Sequence, residues 1–200
     1  MNRSRVVVFF AVILIVLSVG ANSFAEGRTG GYIMVKPGAF IPQADLNDKG
    51  FDNSFTGELT IGTYYTPNLA LEAGVGYFQT ESSKNVAGVN EEDDIWVVPV
   101  TVTLKGVLPL KGAELNAGAG VGVYFANIEA KGTNANGSFS NDGHAVATGV
   151  HLVAGANFDI TKKVFLGAEG KYIFTTGAHL LDAHIKLNGI MVTGVLGYRF

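Results

Sequence analysis

The residues of this chain with the most chemical potential can be weighed by spacing before any fold is assumed. Glu91-Glu92-Asp93-Asp94 sets four carboxylates in a row, a density that attracts divalent cations or simply keeps an external loop solvated. The stretch from Asp45 to Gly50 resembles a calcium loop, but Lys49 stands at a ligand position and Thr56 where a bidentate Glu is needed. A calcium site is rejected there. Gly118, Gly120 and Gly122 recur every second residue with no helix to follow, unlike a dinucleotide fingerprint. A hydrolase needs a Ser and a His in hydrogen-bond reach. Ser54, Ser82, Ser83, Ser138 and Ser140 fall in or beside predicted loops, and Ser140 with His144 is the nearest pair in sequence. His151 is expected to point inward on a strand, while His144, His179 and His184 fall at strand ends or loops without metal-ligating spacing. Cysteine is absent, so neither a thiolate site nor a disulfide is available. No catalytic residue, metal or cofactor is expected.

A different set of charges carries more information. Glu58, Glu72, Lys105, Glu114, Glu169, Lys171 and Arg199 stand among small and polar residues, each on one side of a segment whose other side is apolar. Opposite signs facing a common interior can pair, so these seven are expected to form a charge network, either a structural filling or the lining of a pore.

The elements that would position them repeat one pattern. About ten residues alternate apolar with small or polar, and a turn or loop follows; period-two alternation is the mark of a strand with two unlike faces. Eight such segments are predicted, near 31–42, 55–65, 69–79, 95–106, 113–126, 145–158, 164–175 and 187–200. In the third, Leu69, Leu71, Ala73, Val75 and Tyr77 oppose Ala70, Glu72, Gly74 and Gly76. In the fourth, Trp96, Val98, Val100, Val102 and Leu104 oppose Pro99, Thr101, Thr103 and Lys105. The first is the least regular, because Pro37 and Pro42 interrupt it. Links near 66–68, 108–112 and 159–163 are short, whereas 44–54, 80–94, 127–143 and 176–186 read as longer polar loops.

Period two alone also fits a soluble barrel with an apolar core. Residue size decides otherwise. Packing Gly and ion pairs inside a soluble sandwich and leaving Leu, Val and Ile outside makes no sense in water; in lipid it does, provided the sheet closes so that every backbone group is bonded. The fold expected is an all-β, eight-stranded, antiparallel up-and-down transmembrane barrel with short periplasmic turns and longer external loops. Tyr32, Phe40, Phe55, Tyr65, Tyr77, Trp96, Phe125, Tyr172, Phe174 and Tyr198 are candidates for interfacial girdles.

Residues 1–25 read as a cleavable leader. Arg3 and Arg5 precede an apolar run from Val6 to Val19, and Ser23-Phe24-Ala25 offers a small-residue cleavage site before Glu26. The run is too short for a spanning helix. Residues 26–200 then form one barrel domain. Charged residues are only 16% of the chain against 48% hydrophobic, Gly numbers 27, and the net charge is −3. With no basic patch, nucleic acid is not an expected partner.

The C-terminal strand Gly194-Val195-Leu196-Gly197-Tyr198-Arg199-Phe200 ends in Phe with apolar or aromatic residues at alternate positions before it. With Ile95-Trp96-Val97-Val98-Pro99-Val100-Thr101 and Ala117 through Phe125, it resembles the small outer-membrane β-barrel superfamily that includes the OmpA barrel domain, OmpX and OmpW. The resemblance spans the whole chain after the leader. It implies bacterial outer-membrane location after export, Tyr198 and Phe200 as an assembly signal read by the barrel-assembly machinery, contact with outer-membrane lipid and lipopolysaccharide, and a monomer. It leaves the activity open between a non-enzymatic barrel acting in surface interaction or envelope integrity, a narrow channel or transporter-like barrel, and a lipid-modifying enzyme.

Overall fold

The computed structural model describes residues 30–48, 51–86, 89–134, 137–176, 178–180 and 183–200, with backbone alone at 45, 48, 83–86, 89–93, 128–134, 137–142, 178–180 and 183–185. The leader expected at 1–25 lies outside the described residues. The elements are β1 (Gly31–Pro42), α1 (Asp45–Asp48), β2 (Ser54–Thr66), β3 (Leu69–Val86), β4 (Val89–Leu110), β5 (Ala113–Asn134), β6 (Gly137–Asp159), β7 (Val164–Thr175), β8 (Ala178–Leu180), β9 (Ala183–Ile185) and β10 (Gly189–Arg199). Strands β1 to β7 and β10 form a closed antiparallel barrel in which β10 pairs with both β7 and β1. Closure leaves no free edge for lipid to meet. β8 and β9 form a separate small hairpin.

The eight predicted segments all became barrel strands, but four run further than expected. β3, β4, β5 and β6 contain 18, 22, 22 and 23 residues, against roughly 9–11 needed to cross a bilayer. The stretches 80–94 and 127–143, read above as loops, are therefore largely strand that continues past the membrane. Their backbones stay paired residue by residue across β3 to β6, although 127–143 is rich in Gly and Asn. What they lack is an apolar face, since outside lipid neither side of a strand needs one. Glu81, Asp94, Glu129 and Asp142 stand opposite one another in successive register across β3 to β6. The acidic run Glu91 to Asp94 thus belongs to β4 and not to a loop. The opposite end is tight: two residues link β2 to β3 and β4 to β5, and four link β6 to β7.

The faces separate as the alternation implies. Leu59, Val102, Leu104, Val121, Val150, Leu152, Leu166, Val192 and Leu196 all point outward, while Glu58, Lys105, His151, Glu169 and Thr193 are buried inside. Two of the ten proposed girdle aromatics break the pattern. Tyr32 and Phe40 are buried within the bore. β1 carries bulky apolar residues on both faces, so alternation there could not tell inside from outside. Phe55, Tyr65, Tyr77, Trp96, Phe125, Phe174 and Tyr198 do face outward.

Inside, the bore is layered. At the outer end Phe40, Phe78, Ile95, Val97, Tyr124 and Met191 form an apolar cluster, joined by Leu46 of α1, Phe51 and Leu187 from the connecting segments. Phe40 and Phe78 stack with ring centroids 4.1 Å apart. Charged and hydroxyl side chains fill the middle. Near the short turns Tyr32, Tyr64 and Phe165 close the inner end.

Candidate functional site

The middle layer is an ion-pair cluster of three lysines and three glutamates. Lys36, on β1, reaches three carboxylates from three other strands: Glu169 at 2.9 Å, and Glu58 and Glu72 at 3.4 Å each. Lys105 pairs with Glu72 at 2.9 Å and also with Glu169. Lys171 pairs with Glu58. All six are buried, and their formal charges cancel. That balance is what allows them there, because an unpaired ion in a dry interior is far costlier than a matched set. Hydroxyls complete the carboxylates: Thr60 donates to Glu58 at 3.0 Å and Tyr32 to Glu72 at 2.9 Å.

A second group sits nearer the short turns. Glu114 accepts from Tyr64 at 2.8 Å and from Asn157 at 2.8 Å. Arg199 reaches Glu114 at 3.5 Å and Asp159 at 2.6 Å, and its guanidinium lies 4.2 Å from the Phe165 ring centroid. The seven charges singled out from sequence therefore divide. Glu58, Glu72, Lys105, Glu169 and Lys171 meet at mid-bore, whereas Glu114 and Arg199 belong to the inner end. Lys36 was missed, though it touches more carboxylates than either other lysine. It shares its strand face with Tyr32, Met34 and Phe40, which disguised it. Only with Tyr32 inside the bore, and not at the girdle expected for it, does counting alternate positions forward from it bring Lys36 inward.

His151 lies fully buried beside this layer and shares a hydrogen bond with Thr103 at 2.8 Å. Room for the imidazole comes from the facing residue of β5, Gly120, where a Cβ would stand 2.5 Å from Nε2 and 2.2 Å from the Val102 carbonyl. The other chemical candidates do not assemble. Ser140 and His144 sit four residues apart on one strand, about 13 Å at strand rise, and His144 Nδ1 is engaged by Asn127 Oδ1. His179 and His184 are register partners across the β8–β9 hairpin. Among the described residues no three metal-ligating side chains gather.

A closed eight-stranded meander with an inverted interior and tight turns at one end points to one kind of protein, and the model of the outer membrane protein beta-barrel domain matches residues 10–200. The chain belongs to the outer membrane protein beta-barrel domain family. Solved structures of similar shape include neisserial surface protein A, at TM-score 0.59 and 16% identity, covering 88% of this chain and 100% of that one. The outer membrane protein OprG from Pseudomonas aeruginosa matches at TM-score 0.56 and 14% identity, covering 88% and 99%. At such identities the likeness concerns the fold. No curated protein matches the chain by sequence. In this outer membrane protein beta-barrel, the ion-pair cluster and the apolar layer above it lie inside the bore, between the two ends of the cylinder.

Proposed function

We propose that this protein is a non-enzymatic, non-conducting outer-membrane scaffold that acts through its outer hairpins, in surface interaction or envelope integrity. The observation that carries the reading is the filled bore. Eight strands leave an interior just wide enough for side chains, and here Lys36 and its carboxylates occupy the middle while Phe40, Phe78 and Leu46 sit over them. The charge network is then a fixed filling, balanced in sign and tied to five strands, rather than a lining for passing ions. The parts left to act are β3 to β6 where they outrun the membrane, with their row of acidic positions.

Tyr198 and Phe200 face the membrane side of the terminal strand, which suits recognition by the barrel-assembly machinery. Planar-bilayer recording of refolded protein tests the main reading. Silence at moderate voltage is expected; reproducible unitary steps would establish the narrow-channel alternative in its place.

A further inference from the structure

The outer wall formed by β1, β7 and β10 holds a shallow groove of about 340 Å³, lined by Ile33, Met34, Val35, Val164, Leu196 and Tyr198. It lies at the short-turn end, where β1 and β7 begin and β10 finishes. Its lining is apolar, as the hydrocarbon side of a barrel requires, but its rim is not. Lys163 Nζ donates to Tyr198 Oη at 3.4 Å and stands 5.7 Å above that ring's centroid. Lys162 is exposed beside it. The turn bearing both lysines is fixed, since Thr161 Oγ1 accepts from the N–H groups of Lys163 at 3.2 Å and Val164 at 2.9 Å. Asp159, the carboxylate at the start of this turn, is held by Arg199. Among the described residues neither lysine makes an ion pair.

We propose that this groove seats an acyl chain of an anionic phospholipid of the inner leaflet, with Lys162 and Lys163 holding its phosphate-bearing headgroup. Two lysines at a membrane–water boundary attract acidic headgroups, and an ammonium is a point charge suited to phosphate. Tyr198 is amphipathic and spans the same boundary, ring toward hydrocarbon and hydroxyl toward water. Placing the site in the inner leaflet rests on the periplasmic position of the short turns. The polarity of the whole molecule agrees, because acidic positions crowd the other end of β3 to β6.

Native mass spectrometry of the refolded barrel tests this, using micelles doped with equal amounts of phosphatidylglycerol and phosphatidylcholine of matched chains. The wild type is expected to retain phosphatidylglycerol roughly tenfold better. Lys162→Ala/Lys163→Ala should abolish the preference, while Leu196→Trp, which fills the groove, should reduce retention of both lipids. Excess inorganic phosphate should leave the bound lipid in place. Equal retention of the two lipids by wild type, a preference that survives loss of both lysines, or displacement by phosphate would each overturn the proposal. Heat-modifiable migration confirms that a variant is folded. If one is not, the wild-type ratio decides, and it must also fall at high salt.

Discussion

Lys36→Met is the sharpest perturbation this bore offers. Methionine keeps the length and the apolar stem but deletes the ammonium that touches Glu58, Glu72 and Glu169. Three carboxylates then share Lys105 and Lys171, so one negative charge is left unmatched in a closed interior. Removing one member of a buried ion set costs about 3–5 kcal/mol, against about 0–1 kcal/mol for an exposed pair. The location of Lys36, 1% exposed, selects the larger figure. A second change separates lost charge from lost contact. In Lys36→Met/Glu72→Gln the signs balance again, and the glutamine carbonyl can still accept from Tyr32, so at least half of the lost stability should return. Reversible urea unfolding in phospholipid vesicles, read as the fraction of heat-modifiable folded band, measures all three proteins. A single variant within about 0.5 kcal/mol of wild type, or a double variant weaker than the single, would refute the idea that charge balance holds this layer together.

Other outcomes follow from the same architecture. Val121→Arg, at an outward position in the middle of β5, should destabilise the folded barrel by about 2–4 kcal/mol in vesicle unfolding; no effect would contradict the inside-out assignment. Gly120→Val should lower the folded yield sharply on gels, because its Cβ would meet the Val102 carbonyl at 2.2 Å and that atom is backbone. Phe78→Ala removes one ring of the stacked pair under α1 and should cost about 3 kcal/mol. Phe200→Ser should reduce outer-membrane yield in cells several-fold while leaving refolding in detergent nearly unchanged, a split that distinguishes a recognition signal from a packing residue.

Alternation made the barrel legible because lipid and bore demand opposite chemistries on successive residues. β4 shows it plainly: Val102 and Leu104 face out while Thr101, Thr103 and Lys105 face in. Where the environment stops differing, the signal stops too. Beyond the membrane there is no lipid to demand one apolar face, so residues 80–94 and 127–143 carry no period to follow and read as loops. β1 fails for the opposite reason. Its inner face carries Tyr32, Met34 and Phe40 because the two ends of the bore are apolar, and that kept Lys36 out of view. Which charges meet also escaped sequence reasoning. Glu114 and Glu169 look alike in composition, yet strand register sends one to Arg199 and the other to Lys36 and Lys105. Register is set by pairing across the sheet, and no single strand encodes it.

One feature of β4 makes the folding reaction observable without labels. The chain has a single tryptophan, Trp96, and it faces lipid at the outer end of the membrane-crossing part of β4, between Gln79 and Asn127 in the neighbouring strands. A barrel that inserts from its short-turn side's compartment must drag that indole through the full thickness of hydrocarbon before it comes to rest. Its emission should shift to the blue as it enters and respond in time order to quenchers placed at increasing depth along the acyl chains. A native fluorophore so positioned clocks the translocation of the β3–β4 hairpin itself.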